Sequence, residues 1–270
     1  MEALLPFALA LFGTGLLAGV MAGLLGVGGG IVIVPVLDIV LIAAGVAPEW
    51  SMNVAVATSL ATIIPTSIAS VRAHHARRAI DWPLVRHWGV PIIAGALLGG
   101  LLAAQVSSTW LAVLFGAVAA AVALKMYLPL DHLRFAPSPP RGPLGIALGT
   151  GIGAISAMMG IGGGTLAVPT LTLTGEPIHR AVATAAVFGL LISVPGTLTY
   201  LLASPGLALP HWTAGLVSLP GAALIALATI VTVPIGARIA HALPPRALAL
   251  AFGVFLSLVA ARMLWRAFVA

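Results

Sequence analysis

The chain is 270 residues long, 61% hydrophobic and only 7% charged, with a mean hydropathy of +1.17. Soluble domains carry about 25% charged residues, so these values exclude a water-soluble globular protein, and the absence of cysteine excludes disulfides, thiolate nucleophiles or metal ligands, and any thiol relay for sulfur compounds. The formal charge of +6 would suit nucleic acid in a soluble protein, but basic residues spread over the loops of a multi-pass chain report topology, and no nucleic-acid site is expected.

Apolar runs close to twenty residues long recur throughout, whereas a β-barrel would alternate polar and apolar residues in segments of roughly ten. Helices are therefore expected to meet the lipid bilayer. In the first half the runs fall near residues 4–24, 31–47, 51–71, 84–104 and 109–129. The first lacks a basic leading region, which predicts a membrane segment rather than a cleaved signal. Residues 129–142, with Asp131, His132, Arg134, Arg141 and several prolines, read as a linker. Second-half runs follow near 143–159, 165–174, 181–203, 212–236 and 247–268.

One short phrase occurs twice. Gly26-Val27-Gly28-Gly29-Gly30 running to Pro35 returns as Gly160-Ile161-Gly162-Gly163-Gly164 running to Pro169, and residues 25–35 match 159–169 at six of eleven positions. Ala55-Val56-Ala57-Thr58 likewise returns as Ala181-Val182-Ala183-Thr184, with weaker echoes of Asp81-Trp82 in His211-Trp212 and of Gly116 in Gly253. The chain thus reads as two copies of one unit, 1–128 and 143–270, joined by a cytoplasmic linker at 129–142.

Charge relates the copies. If the loop carrying Arg72, Arg77, Arg78 and Arg86 is cytoplasmic, ten of the twelve basic residues fall on that side, leaving only Arg262 and Arg266 outside. Both termini are then external. Each half makes an odd number of crossings, so the second copy runs upside down, as in transporters whose sites lie near the midplane between discontinuous segments. The run 165–174 spans only about 15 Å, against a hydrocarbon core of roughly 30 Å. The expected fold is an all-α polytopic membrane protein of two inverted repeats. Each would hold a Gly-rich broken or re-entrant helical hairpin plus three transmembrane helices, giving 8 to 10 membrane segments.

Three consecutive glycines put bare backbone where lipid offers no hydrogen bonds, so that backbone must be buried or line a cavity. Successive N–H groups ahead of a helix form a concave anion site. Close helix packing is the alternative use of such glycines, and it is the preferred one for Gly99 and Gly100. A dinucleotide motif fails on spacing, and no Walker lysine follows.

The paired G-x-G-G-G-x-x-x-x-P phrases, each followed by an A-x-A-T element, resemble the sulfite exporter TauE/SafE family of TSUP transporters, over essentially the whole chain. The resemblance implies a carrier in a bacterial or archaeal cytoplasmic membrane for a small sulfur-containing anion, sulfite or an organosulfonate, with export as the expected direction. It does not say which anion or in what oligomeric state. With it, the candidate substrate-binding residues are Gly28, Gly29, Gly30, Asn53, Thr58, Ser59, Gly162, Gly163, Gly164, His179, Arg180 and Thr184, whose donors suit sulfonyl oxygens. Two readings stand for several of these. Arg180 is either a substrate ligand or a helix-end anchor, and Thr58 and Thr184 either face substrate or bond their own helix. Asp38, the one acid within an apolar run, is a candidate for proton coupling. No acid/base pair, metal site or cofactor motif is present, which argues against an enzyme. An anion channel or a non-transporting membrane subunit is the alternative to a carrier.

Overall fold

The structure is a computed structural model and describes residues 4–25, 29–128, 135–203, 212–242 and 244–269. Among these lie ten helices: α1 (Leu4–Leu25), α2 (Gly30–Ala43), α3 (Pro48–Ala76), α4 (Trp82–Ala103), α5 (Ser108–Tyr127), α6 (Pro143–Met159), α7 (Gly164–Leu173), α8 (Ile178–Leu202), α9 (Leu219–Ala242) and α10 (Pro245–Val269). Strands β1 (Thr213–Ala214) and β2 (Val217–Ser218) form a two-residue antiparallel hairpin. Six helices, α3, α4, α5, α8, α9 and α10, are long and apolar enough to cross a membrane. The shorter apolar stretches are Ala8–Ala22, Gly30–Ala43, Pro143–Met159 and Gly164–Leu173. At 1.5 Å per residue α2 and α7 reach about 21 and 15 Å, less than a bilayer core.

Sequence chemistry accounts for the helix starts. Proline stands in the first turn of α3, α4 and α6, where its missing N–H costs nothing. The Asp81 side chain accepts a hydrogen bond from Leu84 N–H at 3.0 Å to cap α4, and Ser218 Oγ accepts one from Gly221 N–H at 3.1 Å at the head of α9. Each cap is followed two residues later by proline, Pro83 and Pro220. Ser218-Leu219-Pro220 is therefore the positional partner of Asp81-Trp82-Pro83. The sequence echo had pointed instead to His211-Trp212, of which His211 lies outside the described residues. The expected helix from 212 starts at 219, because Gly215 turns back with φ +54° and Leu216 N–H bonds Tyr200 O at 3.0 Å.

Packing exchanges one helix between the halves. α1, α2 and α3 gather α9 from the second half, α6, α7 and α8 gather α4 from the first, and α5 pairs with α10. The largest interfaces, α1 with α9 and α4 with α6, are built on small residues. A Cβ on Gly15 would lie 2.9 Å from Ile225 Cα, and one on Gly99 would lie 2.7 Å from Ala154 Cα. Backbones at this range gain dispersion that larger side chains would prevent. Gly99 is thus a packing glycine, as expected.

α3 and α8 cross at the centre and run antiparallel. Residues just beyond the end of α3 pack on the start of α8, where Ile80 clusters with Ala183 and Val187. Near the start of α3, Thr58 Oγ1 accepts a hydrogen bond from Ser218 N–H at 2.9 Å. Thr184 Oγ1 of α8 accepts one from Asp81 N–H at 3.0 Å. The matched threonines therefore bond neither their own helix nor open space: each holds the entry of the helix the other half lends.

Candidate functional site

The second glycine phrase is a complete helix-turn-helix. Ser156 O accepts from Ile161 N–H at 3.0 Å across Gly160, whose φ of +67° lies in the left-handed region, so α6 ends in a glycine C-cap. α7 then begins, and Ala167 N–H closes onto Gly163 O at 2.7 Å. The N–H groups before Ala167 are the ones a helix leaves without an intrahelical acceptor. Residues from Gly160 to Thr165 are all buried. In the first phrase, Gly28 lies outside the described residues. Gly29 takes φ +66° and its carbonyl accepts from Val32 and Ile33 at 2.9 and 3.0 Å, opening α2.

The two phrases meet. A Cβ on Gly30 would lie 2.5 Å from Gly160 O and 2.9 Å from Ile161 Cα, so only glycine permits the approach. Ser59 Oγ on α3 donates to the same Gly160 O at 2.7 Å. Gly163 rests on α8, where a Cβ would lie 2.9 Å from Phe188 Cβ and 3.0 Å from Gly189 N. Gly162 is different: its nearest neighbour would be Ile63 Cγ2 at 3.5 Å, ordinary contact distance. Gly30, Ser59 and Gly160 to Gly164 thus converge where α3 passes α8.

Other candidates lie elsewhere. Asn53 Nδ2 donates to Ala103 O at 2.9 Å and Val106 O at 3.0 Å, and its Oδ1 accepts from Ser108 Oγ at 3.0 Å, so its amide clamps the α4–α5 turn. His179 and Arg180 are exposed at the start of α8. Arg180 pairs with Asp81 at 2.9 Å and with Glu176 at 3.0 Å. Burial pushes the Glu176 carboxyl above the usual carboxylate range, opposed by the Arg180 charge. These residues sit near the start of α4 and Asn53 sits at its end, about 30 Å away along the helix. Thr58 and Thr184 are engaged as described.

Asp38 is fully buried on α2. Its Oδ1 lies 2.8 Å from Arg266 Nη1 and accepts from Ser51 Oγ at 2.8 Å, while Oδ2 lies 3.7 Å from Arg262 Nη1. Arg266 also donates to Ser51 Oγ at 2.8 Å and to Pro48 O at 3.0 Å. Sequence reasoning missed these partners, although the two arginines were its only exceptions to the charge bias. It also missed Ser156 and Thr165, buried hydroxyls whose oxygens have no hydrogen-bond partner.

A family model described as "Sulfite exporter TauE/SafE" matches residues 11–268. A "probable membrane transporter protein" of Haemophilus influenzae is 33% identical over 250 residues, 92% of this chain and 95% of that relative. A second of that description from Methanocaldococcus jannaschii is 28% identical, covering 93% of this chain and 92% of the relative. A third, from Bacillus subtilis, is 28% identical, with 77% of this chain and 82% of the relative covered. No solved structure matches.

Proposed function

The chain belongs to the sulfite exporter TauE/SafE family of membrane transporters, and on that premise we propose that it is a secondary carrier moving sulfite or an organosulfonate out across the cytoplasmic membrane by alternating access. The observation that carries this reading is the meeting of the glycine phrases of both halves at the α3–α8 crossing, with Ser59 and Gly30 against Gly160. Backbone from both halves thereby reaches one place, which is what a midplane site between repeats requires.

The repeats, 1–128 and 143–270, are read as inverted, a reading supported by the antiparallel crossing of α3 and α8 and by the reciprocal threonine bonds. The exchanged helices redefine what moves. The rocking bodies are α1, α2, α3 and α9 against α4, α6, α7 and α8, so neither body is one half of the sequence. Of the sequence candidates, the proposal keeps Gly29, Gly30, Ser59 and Gly162 to Gly164 at the site. Asn53, Thr58 and Thr184 take scaffold roles and Arg180 an anchoring one. Proton coupling is not assigned to Asp38, because discharging it would strand two guanidinium groups.

Export of a monoanion is favoured by an inside-negative potential by about 2.3 kcal/mol per 100 mV, roughly fiftyfold, so no coupling ion is needed. The test is flux of sulfite and methanesulfonate from proteoliposomes under an imposed potential. The expected result is saturable export with counterflow. Conduction without saturation would instead indicate a channel, and absence of flux for every sulfur oxyanion would remove the substrate assignment.

A further inference from the structure

Two hydroxyls bracket the second glycine turn without a partner. Ser156, whose carbonyl closes the turn, is 0% exposed, and Thr165, in the first turn of α7, is 3% exposed. Neither side-chain oxygen has a hydrogen-bond partner. A buried hydroxyl left unpaired costs about 1–3 kcal/mol, and native structures rarely leave two so close in sequence without a use. The positions equivalent at the repeat offset in the first half are Ala22 and Ile31, which offer no donor. The same turn carries the N–H groups that a helix head leaves without an intrahelical acceptor, and Gly162, where a Cβ would sit at ordinary contact distance, 3.5 Å from Ile63 Cγ2.

Acidic and basic side chains are missing from the stretches around the turn. No Asp, Glu, Lys, Arg or His occurs in residues 142–175, 58–71 or 181–203, the stretches that form the turn and the two helices crossing it. An anion there is held by neutral donors alone. The cost of bringing a charge out of water grows with its square, so a dianion pays about four times what a monoanion pays, with the same few donors to offset it.

Resting on the carrier reading above, we infer that Ser156 and Thr165 are the hydroxyl donors of the substrate site, and that this site takes a singly charged oxyanion. The class includes sulfonates and hydrogen sulfite and excludes fully ionised sulfite and sulfate. The site belongs chiefly to the second half; the first contributes Gly30 and Ser59, which brace the turn.

The test is calorimetric titration of the purified full-length protein with methanesulfonate, sulfite and sulfate between pH 6 and 9. Methanesulfonate keeps one charge throughout, so its affinity should stay flat. Affinity for total sulfite should fall about tenfold for each pH unit above the second ionisation of sulfurous acid, and sulfate should not bind. Ser156→Ala combined with Thr165→Val should weaken methanesulfonate at least tenfold, and Thr165→Ser should retain binding. Sulfite affinity that holds or rises with pH, or sulfate binding, overturns the monoanion assignment. That arm uses the unaltered protein and does not depend on the variants folding. Undiminished methanesulfonate binding by the double variant overturns the hydroxyl assignment. If the unaltered protein binds none of the three, the carrier reading for sulfur anions falls, and this inference with it.

Discussion

The two glycine phrases share six of eleven residues but are used differently. The described part of the first packs tightly: at Gly30 the absent side chain is replaced by the carbonyl of Gly160, and the residues that follow, Ile31 to Val34, are apolar and buried. The second is a turn where a Cβ on Gly162 would be accepted at ordinary contact distance, and two buried hydroxyls without a partner, Ser156 and Thr165, lie on either side of it in sequence. A repeated phrase therefore need not serve the same purpose in both places.

Substitutions separate these uses. The largest effect is expected from Gly30→Leu, which drives a side chain into Gly160 O and Ile161; it should cost about 3 kcal/mol or more and lower the yield of folded protein, read by size-exclusion recovery and melting in detergent. Ser59→Ala should cost about 1–3 kcal/mol, because Gly160 O loses its 2.7 Å donor in a buried place; a melting temperature equal to the parent's would show that this bond does not brace the turn. By contrast, Gly162→Ala should shift stability by about 0.5 kcal/mol or less yet weaken anion binding, since its methyl group enters the space over the turn. Wild-type affinity in that variant would return Gly162 to the same role as Gly30.

The smallest effect concerns Glu176, away from both turns. Its carboxyl is raised by burial, so the folded protein holds a proton the unfolded chain has already lost. That contribution is complete below the ordinary carboxylate range and is lost as pH rises through the raised value. Glu176→Gln should flatten this part of the stability profile in thermal melts while leaving both glycine turns unaltered. A profile that keeps its slope would assign the dependence to another group.

Much of the fold was legible from apolar runs alone, since α3, α4, α5, α8 and α10 begin and end within a few residues of them. The late start of α9 was not, because Trp212 and Leu216 extend the apolar run through what is a β-turn. Which helix packs on which was also hidden. Hydropathy gives a residue's preference for lipid or protein, but the small-residue faces of α1, α4, α6 and α9 would fit one another in more than one arrangement. At the site, the glycine phrases were conspicuous by their rarity. Ser156 and Thr165 were not, because hydroxyls are common in membrane helices and usually bond their own carbonyls, as Thr170 and Thr174 do here. Burial without a partner, which they share with Thr197 on α8, is a property of the folded chain.

The pairing of α1 with α9 has a consequence for biosynthesis. Gly15 packs against Ile225 and Ala228, which leave the ribosome more than two hundred residues later, at roughly 5–20 residues per second. For some tens of seconds the first helix must therefore wait in the bilayer with its glycine face turned to lipid or to a chaperone. The packing of the first half is therefore completed only after α9 has been made.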